Sequence, residues 1–267
     1  MNRCENNVDG KKMGEIDKED DSLAIELYRN TMTGQWNKVV EMYKEHQIKA
    51  ISAKINTSGD TALHVAVSIA SDKEAQQLVR VIKDWYDKEV KKIEDRYDPE
   101  VKKIRDWYDK VENSNDKRYK SYNELLERNL YDDINVYDKK MEKEITNILE
   151  SAVWIKNNEG KTPLHVAASA NRISICILLI TSFDSCQSLG VHNNVGESPL
   201  FLAAFHGHRE LFLCLYLFFL LGNSNTDLES IDPSYSRNDG ETILHCAIRW
   251  EYFGEHFFLT LFASPIK

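Results

Sequence analysis

Apolar residues recur at helical spacing along most of the chain, in short segments separated by turns that carry glycine. Residues Ser22 to Gln47 hold two such patterns parted by Thr33-Gly34. Leu23, Ile25, Leu27 and Tyr28 mark the first; Trp36, Val39, Val40 and Tyr43 mark the second. Steps of three and four put each set on one helix face, so two amphipathic helices are predicted. A nonapeptide then recurs four times: GDTALHVAV from Gly59, GKTPLHVAA from Gly160, GESPLFLAA from Gly196 and GETILHCAI from Gly240. Each copy opens on a glycine suited to a positive-φ turn. Thr61, Thr162, Ser198 and Thr242 follow as N-caps, with Pro163 and Pro199 at the first helical position. Leu63, Leu164, Leu200 and Leu244 are then expected to face a core, and Ala66, Ala167, Ala203 and Ala247 to let neighbouring helices approach.

The four glycines are spaced by 101, 36 and 44 residues. A period near 33 with a T-P-L-H-x-A core resembles the ankyrin repeat, which implies an all-α solenoid of helix-turn-helix repeats. Such a stack presents an extended surface rather than a catalytic pocket. Ser22–Gln47 lacks the phrase and reads as a degenerate N-terminal cap. The 101-residue gap holds one repeat plus an insertion, Lys83 to Glu150, in which 35 of 68 residues are charged, unlike the apolar repeats around it.

The insertion carries its own repeat: DWYDKEVKKI from Asp84, DRYDPEVKKI from Asp95 and DWYDK from Asp106. Tyr86, Val90, Ile93, Tyr97, Val101, Ile104, Tyr108 and Val111 form a helical stripe of period 11. Acid-before-base pairs at i,i+4, Asp84 with Lys88, Asp87 with Lys91, Asp98 with Lys102 and Asp106 with Lys110, support it. Pro99 predicts a kink or a break, with Asp98 capping a new helix. A second stretch, about Tyr119 to Leu149, is expected to fold back through a turn at Asn113–Asp116. The organisation read from these patterns is a disordered tail over 1–21, cap and first repeat over 22–82, insertion over 83–150, and three further repeats over 151–267, the last one truncated.

A formal charge of −9 argues against phosphate-backbone binding, which needs clustered Lys and Arg. Cys4, Cys176, Cys186, Cys214 and Cys246 show neither CxxC pairs nor metal-ligand spacing, and read as reduced thiols of a cytoplasmic or nuclear protein. The polar N-terminus offers no signal peptide, Asn2 excludes myristoylation, and the C-terminus has no prenylation cysteine. The longest apolar run, Leu211 to Leu221, is 11 residues, too short to span a bilayer. His64, His165 and His245 occupy one equivalent position per repeat, where an ankyrin imidazole ties neighbouring turns together; Phe201 replaces it in the third copy. Gly207-His208 matches the G-H that follows the first helix of an ankyrin repeat. No Ser/His/Asp set, phosphate loop or carboxylate pair stands out. The sequence therefore predicts no enzyme, no catalytic residue, no metal site and no cofactor.

Longer stretches carry a narrower resemblance. Asn238–Ile248 followed by Glu251-Tyr252-Phe253, Phe201–Ala204 with Leu213-Cys214-Leu215, and Gly59–Ser68 together resemble plant ankyrin-repeat proteins that carry a C-terminal PGG membrane domain. The resemblance covers Ser22–Ile82 and Val153–Phe253. It implies a cytosolic array, membrane helices after it, and a role in defence or stress signalling. The chain departs from that pattern in its insertion and in ending at Lys267 before any PGG segment, so the resemblance carries over no membrane anchor. The apolar end, Phe257–Phe262, is where a terminal cap should be polar, and reads as a truncated product.

By analogy with the ankyrin family, another protein would meet the turn tips and the ends of the first helices. The candidates are Thr57, Ser58, Asp60, Ser68 and Ile69; Asn158, Glu159, Lys161, Ser169 and Ala170; Asn194, Val195, Glu197, Phe205 and His206; and Asn238, Asp239, Glu241, Arg249 and Trp250. Phe205 and Trp250 are the preferred anchors, since aromatic residues dominate interface hot spots; the competing reading packs both within the stack. An alternative function is self-association through the Tyr86/Val90/Ile93/Tyr97 stripe, against a hairpin that packs on itself.

Overall fold

The computed structural model describes residues 13–112, 139–183, 186–222 and 236–250. The chain divides into two compact units, Met1–Ile82 with Ala152–Lys267, and Lys83–Ser151. No strand occurs among the described residues, only an isolated antiparallel bridge between Ser236 and Thr242.

The first unit is a stack of helical pairs. Helix α1 (Met13–Met32), α2 (Trp36–His46) and the short α3 (Ile48–Ser52) form the cap. Helix α1 starts ahead of Ser22, where the apolar pattern begins; the acidic stretch there suits the positive end of a helix dipole. Repeat one pairs α4 (Ala62–Ile69) with the start of α5 (Asp72–Glu112). After helical residues 139–152, which we label α6, repeat two pairs α7 (Pro163–Ser169) with α8 (Ile173–Ser182). A 3-10 turn at Cys186–Gly190 leads to repeat three, α9 (Pro199–Phe205) with α10 (Arg209–Gly222), and repeat four begins with α11 (Ile243–Arg249). The inner helices pack in the order α1, α4, α7, α9, α11.

The motif explains this packing. Thr61, Thr162, Ser198 and Thr242 are the N-caps, and Pro163 and Pro199 open their helices. Leu63, Leu164 and Leu200 are buried between helices, and Ala66, Ala167 and Ala203 are fully enclosed. Burying each leucine is worth about 1.5–3 kcal/mol. Leu244 differs: it is 39% exposed. No outer helix and no following repeat stands against it among the described residues.

In the second unit, α5 runs unbroken through Pro99. The expected helix start at Asp98-Pro99 is therefore corrected. Proline removes the bond to the carbonyl four residues back. Both Asp95, which owns that carbonyl, and Pro99 are exposed, so water can take the missing place. The stripe supplies the reason to continue: Ile93 and Tyr97 are buried. The Tyr97 hydroxyl donates to Glu144 Oε1 at 2.6 Å, and Arg96 Nη1 meets Glu144 Oε2 at 3.0 Å. Lys140 Nζ lies 5.9 Å from the Tyr97 ring centre. These contacts hold α6 back against α5. Asp87 pairs with Lys83 rather than with Lys91, and Lys92 with Glu89 at 2.7 Å. The expected turn at Asn113–Asp116, and the apolar side chains from Val101 onward, lie outside the described residues.

Candidate partner-binding surface

The first three turn tips are built around an asparagine three residues before the glycine, where the fourth has Arg237. Asn157 Oδ1 accepts from the N–H groups of Glu159 and Lys161 at 3.0 and 2.9 Å. Asn193 Oδ1 does so for Val195 and Glu197 at 3.1 and 2.8 Å. Asn56 takes the Asp60 N–H at 2.9 Å. The turns close through Gly59, Gly160, Gly196 and Gly240, all with φ between 72° and 86°. The next asparagine reaches sideways to the preceding repeat. Asn158 N–H and Nδ2 donate to the carbonyls of Ser58 and Thr57, both at 2.9 Å. Asn194 repeats this on Glu159 and Asn158 at 3.0 and 2.8 Å, and Asn238 on Val195 and Asn194 at 3.2 and 3.4 Å. A side chain on the preceding glycine would block the seat: a Cβ on Gly160 would stand 2.4 Å from Asn194 Oδ1.

The histidines are spent on the same joints. The backbone N–H of Thr61 donates to His64 Nδ1 at 3.2 Å, with the Thr61 hydroxyl 2.9 Å from the same nitrogen. Because Nδ1 accepts, the proton sits on Nε2, which donates to Lys161 O at 2.9 Å. His165 does the same with Thr162 and Glu197 O, at 3.1 Å for both the Thr162 N–H and Glu197 O. Burial pushes the His165 imidazole down to about 3 and holds His64 below its usual range. Phe201 fills the equivalent place in repeat three and is fully buried. On the outer side, His208 Nε2 bonds Ser169 O at 2.9 Å, and Arg172 Nη2 donates to Ala70 O at 2.8 Å. Arg172 also pairs with Asp72 at 2.6 Å. The Ser174 hydroxyl, with Arg172 beside it, holds the Asp72 carboxyl below the usual range.

Several candidate contact residues prove to be internal braces. Glu197 is only 8% exposed: Asn193 Nδ2 donates to its Oε2 at 2.7 Å, and Arg237 lies 3.6 Å from its Oε1. It offers no free carboxylate, which corrects its assignment as a contact residue. Asp60 is likewise held by Asn56 at 2.9 Å and Asn157 at 2.8 Å. Glu241 accepts from Arg237 at 3.4 Å and from Arg249. At Asp60 and Glu197 the residue after the turn glycine thus meets a side chain of the adjacent tip. Lys161, half-buried, pairs with Glu159 at 2.6 Å, and the half-buried Ser169 bonds its own helix at 3.0 Å.

Phe205 is half-buried. Its ring centre is 6.1 Å from that of Phe201, and the guanidinium carbons of Arg237 and Arg249 lie 5.7 and 5.3 Å away. Trp250 keeps an exposed ring, though its Nε1 donates to Phe205 O at 2.8 Å and its indole lies against Gly207. Packing within the stack therefore claims most of Phe205 and part of Trp250. Ser58, Ser68, Ile69, Glu159, Val195, His206, Asp239, Arg249 and Trp250 are exposed. The asparagine ladder and Arg237 were the residues the sequence reading missed as structural elements, although Asn-x-Gly recurs at three tips.

Burial pushes the Cys176 thiol up to about 12 and the Cys246 thiol up to about 11, and raises Cys214 as well, which keeps them protonated and unreactive. Among the described residues no three His, Cys, Asp or Glu side chains converge as a metal site, and no helix is long and apolar enough to cross a membrane.

No curated protein matches the chain. Residues 136–219 match the family model described as ankyrin repeats, in three copies. Gly59 and Gly240 lie outside that window, yet the first tip seats Asn158 as the later ones seat Asn194 and Asn238. Ankyrin repeats are thus found within the stack, over residues 136–219.

Proposed function

We propose that this chain is a non-enzymatic scaffold that binds another protein along its turn tips and inner-helix ends. One observation carries the reading. Most polar groups of the repeated phrase are consumed by stacking, while Ile69 and Trp250, at equivalent places on repeats one and four, and Val195, on the tip of repeat three, stand exposed at 60%, 48% and 48%. Apolar side chains displayed at the tips and inner-helix ends of a stacked array can supply the core of an interface. The resemblance to plant PGG-type ankyrin proteins supports a place in stress or defence signalling on the cytoplasmic side of a membrane. Self-association through the insertion is less well supported, because Ile93 and Tyr97 of its stripe are buried within the insertion.

The test compares proteins captured from plant extract by the natural chain and by an Ile69→Arg, Val195→Arg, Trp250→Ala variant. The reading expects a specific protein lost from the variant while its melting stays cooperative. Identical captured sets from both would contradict it.

A further inference from the structure

Gln47 stands in a backbone conformation that its side chain disfavours. It closes α2 and opens α3, with φ 50° and ψ −127°. Those angles belong to the first central residue of a type II′ turn, which glycine adopts freely and a side chain adopts only under strain. Among the described residues every other positive-φ position is glycine or Asn171. The corner is held by its surroundings. The Gln47 N–H donates to Tyr43 O at 3.0 Å, its carbonyl accepts from Ile51 N–H at 2.9 Å, and Ala50 and Ile51 are fully buried. The Gln47 side chain is exposed and makes no capping bond to α3.

The sequence through this corner also fits a straight helix. Trp36, Val40, Tyr43, Gln47 and Ala50 step by four, three, four and three, with Ile51 beside the last. That spacing keeps one stripe in phase from Trp36 to Ile51, with no glycine or proline to interrupt it. Turning Gln47 to helical angles would relieve its strain and join α2 to α3 as one helix over residues 36–52. The first tip would come undone with it. Two residues, Ala53 and Lys54, lie between α3 and Ile55, whose N–H closes the tip on Asp60 O at 2.7 Å. Swinging α3 outward opens that bond and takes the carbonyls of Thr57 and Ser58 away from Asn158.

We propose that Gln47 is a strained pivot: the bent cap exchanges with a minor state in which α2 and α3 form one helix and the first tip is withdrawn. Burial of Ala50, Ile51 and Ile55, with the Asn158 seat on the first tip, favours the bent state. Strain at Gln47 brings the straight one within reach. The role of the pivot rests on the scaffold reading above. A partner that meets Ser58 on the first tip selects the bent state, so the pivot sets how much of the chain is ready to bind.

The pivot is tested on the full chain alone, so failure of the scaffold reading leaves the result unaffected. Amide hydrogen exchange is compared at Ile55, Asn158 and Asn194 in the natural chain, Gln47→Gly and Gln47→Ala. Glycine relaxes the bent state and disfavours the straight helix, and both effects close the tip. Exchange at Ile55 and Asn158 should therefore slow by about tenfold or more in Gln47→Gly. Asn194, one junction further on, should change by less than about threefold, because glycine's freedom in the unfolded chain offsets the relief of strain. Alanine keeps the β-carbon and is the better helix former, so Gln47→Ala should exchange at Ile55 and Asn158 as fast as the natural chain or faster. Unchanged or faster exchange at those two amides in Gln47→Gly would overturn the proposal. Equal slowing at Asn194 would do so too, since it marks a general gain in stability. So would equal slowing in Gln47→Ala, which relieves no strain.

Discussion

The junction between repeats one and two and the junction between repeats two and three differ in the chain that links them. The first joins tips 101 residues apart, the second tips 36 apart, measured between glycines. The bonds are nevertheless equivalent. Asn158 to Ser58 and Asn194 to Glu159 measure 2.9 and 3.0 Å, and the two imidazole bonds to the next tip measure 2.9 and 3.1 Å. The stack is therefore specified by the turn and the inner helix, not by what connects them. The interrupted junction adds a brace: Arg172 and Ser174 both hold Asp72, while the uninterrupted one uses His208 on Ser169 O. Lengthening a flexible connection from 36 to 101 residues costs only about 1 kcal/mol in closure entropy, an amount one such brace can offset.

The comparison is broken most severely by acid. Burial lowers the His165 pKa to about 3 in the fold, from the usual 6.5 of an exposed imidazole. The unfolded chain thus binds the proton more readily, so this contribution is intact above pH 6.5 and is lost as pH falls toward 3. The slope approaches about 1.4 kcal/mol per pH unit in that window. Urea titrations at pH 7, 5 and 4 should show His165→Gln less stable at pH 7 but with a shallower decline. His64→Gln, at the interrupted junction, changes the slope in the same direction. A parallel pH dependence in the natural chain and both variants would refute this account of the joints.

Next in size is the contrast between glycines. Gly160→Ala puts a Cβ against Asn194 at 2.4 Å and also demands positive φ, whereas Gly240→Ala meets only the φ requirement. The expected losses are about 3 kcal/mol or more for Gly160 and about 1–2 kcal/mol for Gly240, read from thermal melting. Smaller still is Arg172→Ala, at about 1–2 kcal/mol, since the side chain bonds Ala70 O but Asp72 is largely exposed. Its effect on hydrogen exchange should concentrate at residues 157–166 and spare 193–202. Even loosening of both junctions would mean that Arg172 does not brace the first one in particular.

The elements that were legible in the sequence are those whose cause is local. Thr61, Thr162, Ser198 and Thr242 cap their helices because a hydroxyl at that place answers an unpaired N–H, whatever surrounds it. The 11-residue stripe likewise gave a helix, and Ile93 and Tyr97 are buried as its period requires. Pro99 misled because its penalty was weighed alone, while tertiary contacts at Tyr97 favour continuing the helix. Glu197 and Asp60 misled for a related reason. A carboxylate in a turn reads as solvent-facing until the neighbouring tip is placed beside it, and that placement is set by stacking. The asparagine ladder hid because Asn is also an ordinary turn residue. Its second task shows only when two tips stand side by side.

The central claim is that each junction is made by its own turn and inner helix, independent of the insertion. Deleting residues 83–150 and joining Ile82 to Ser151 tests it directly, with amide exchange followed at Asn158 and Asn194. The account predicts protection at both asparagines within about threefold of the full chain, a change below about 0.7 kcal/mol. Loss of protection at Asn158 with Asn194 unchanged would show that the insertion holds the first junction together, and would contradict the claim.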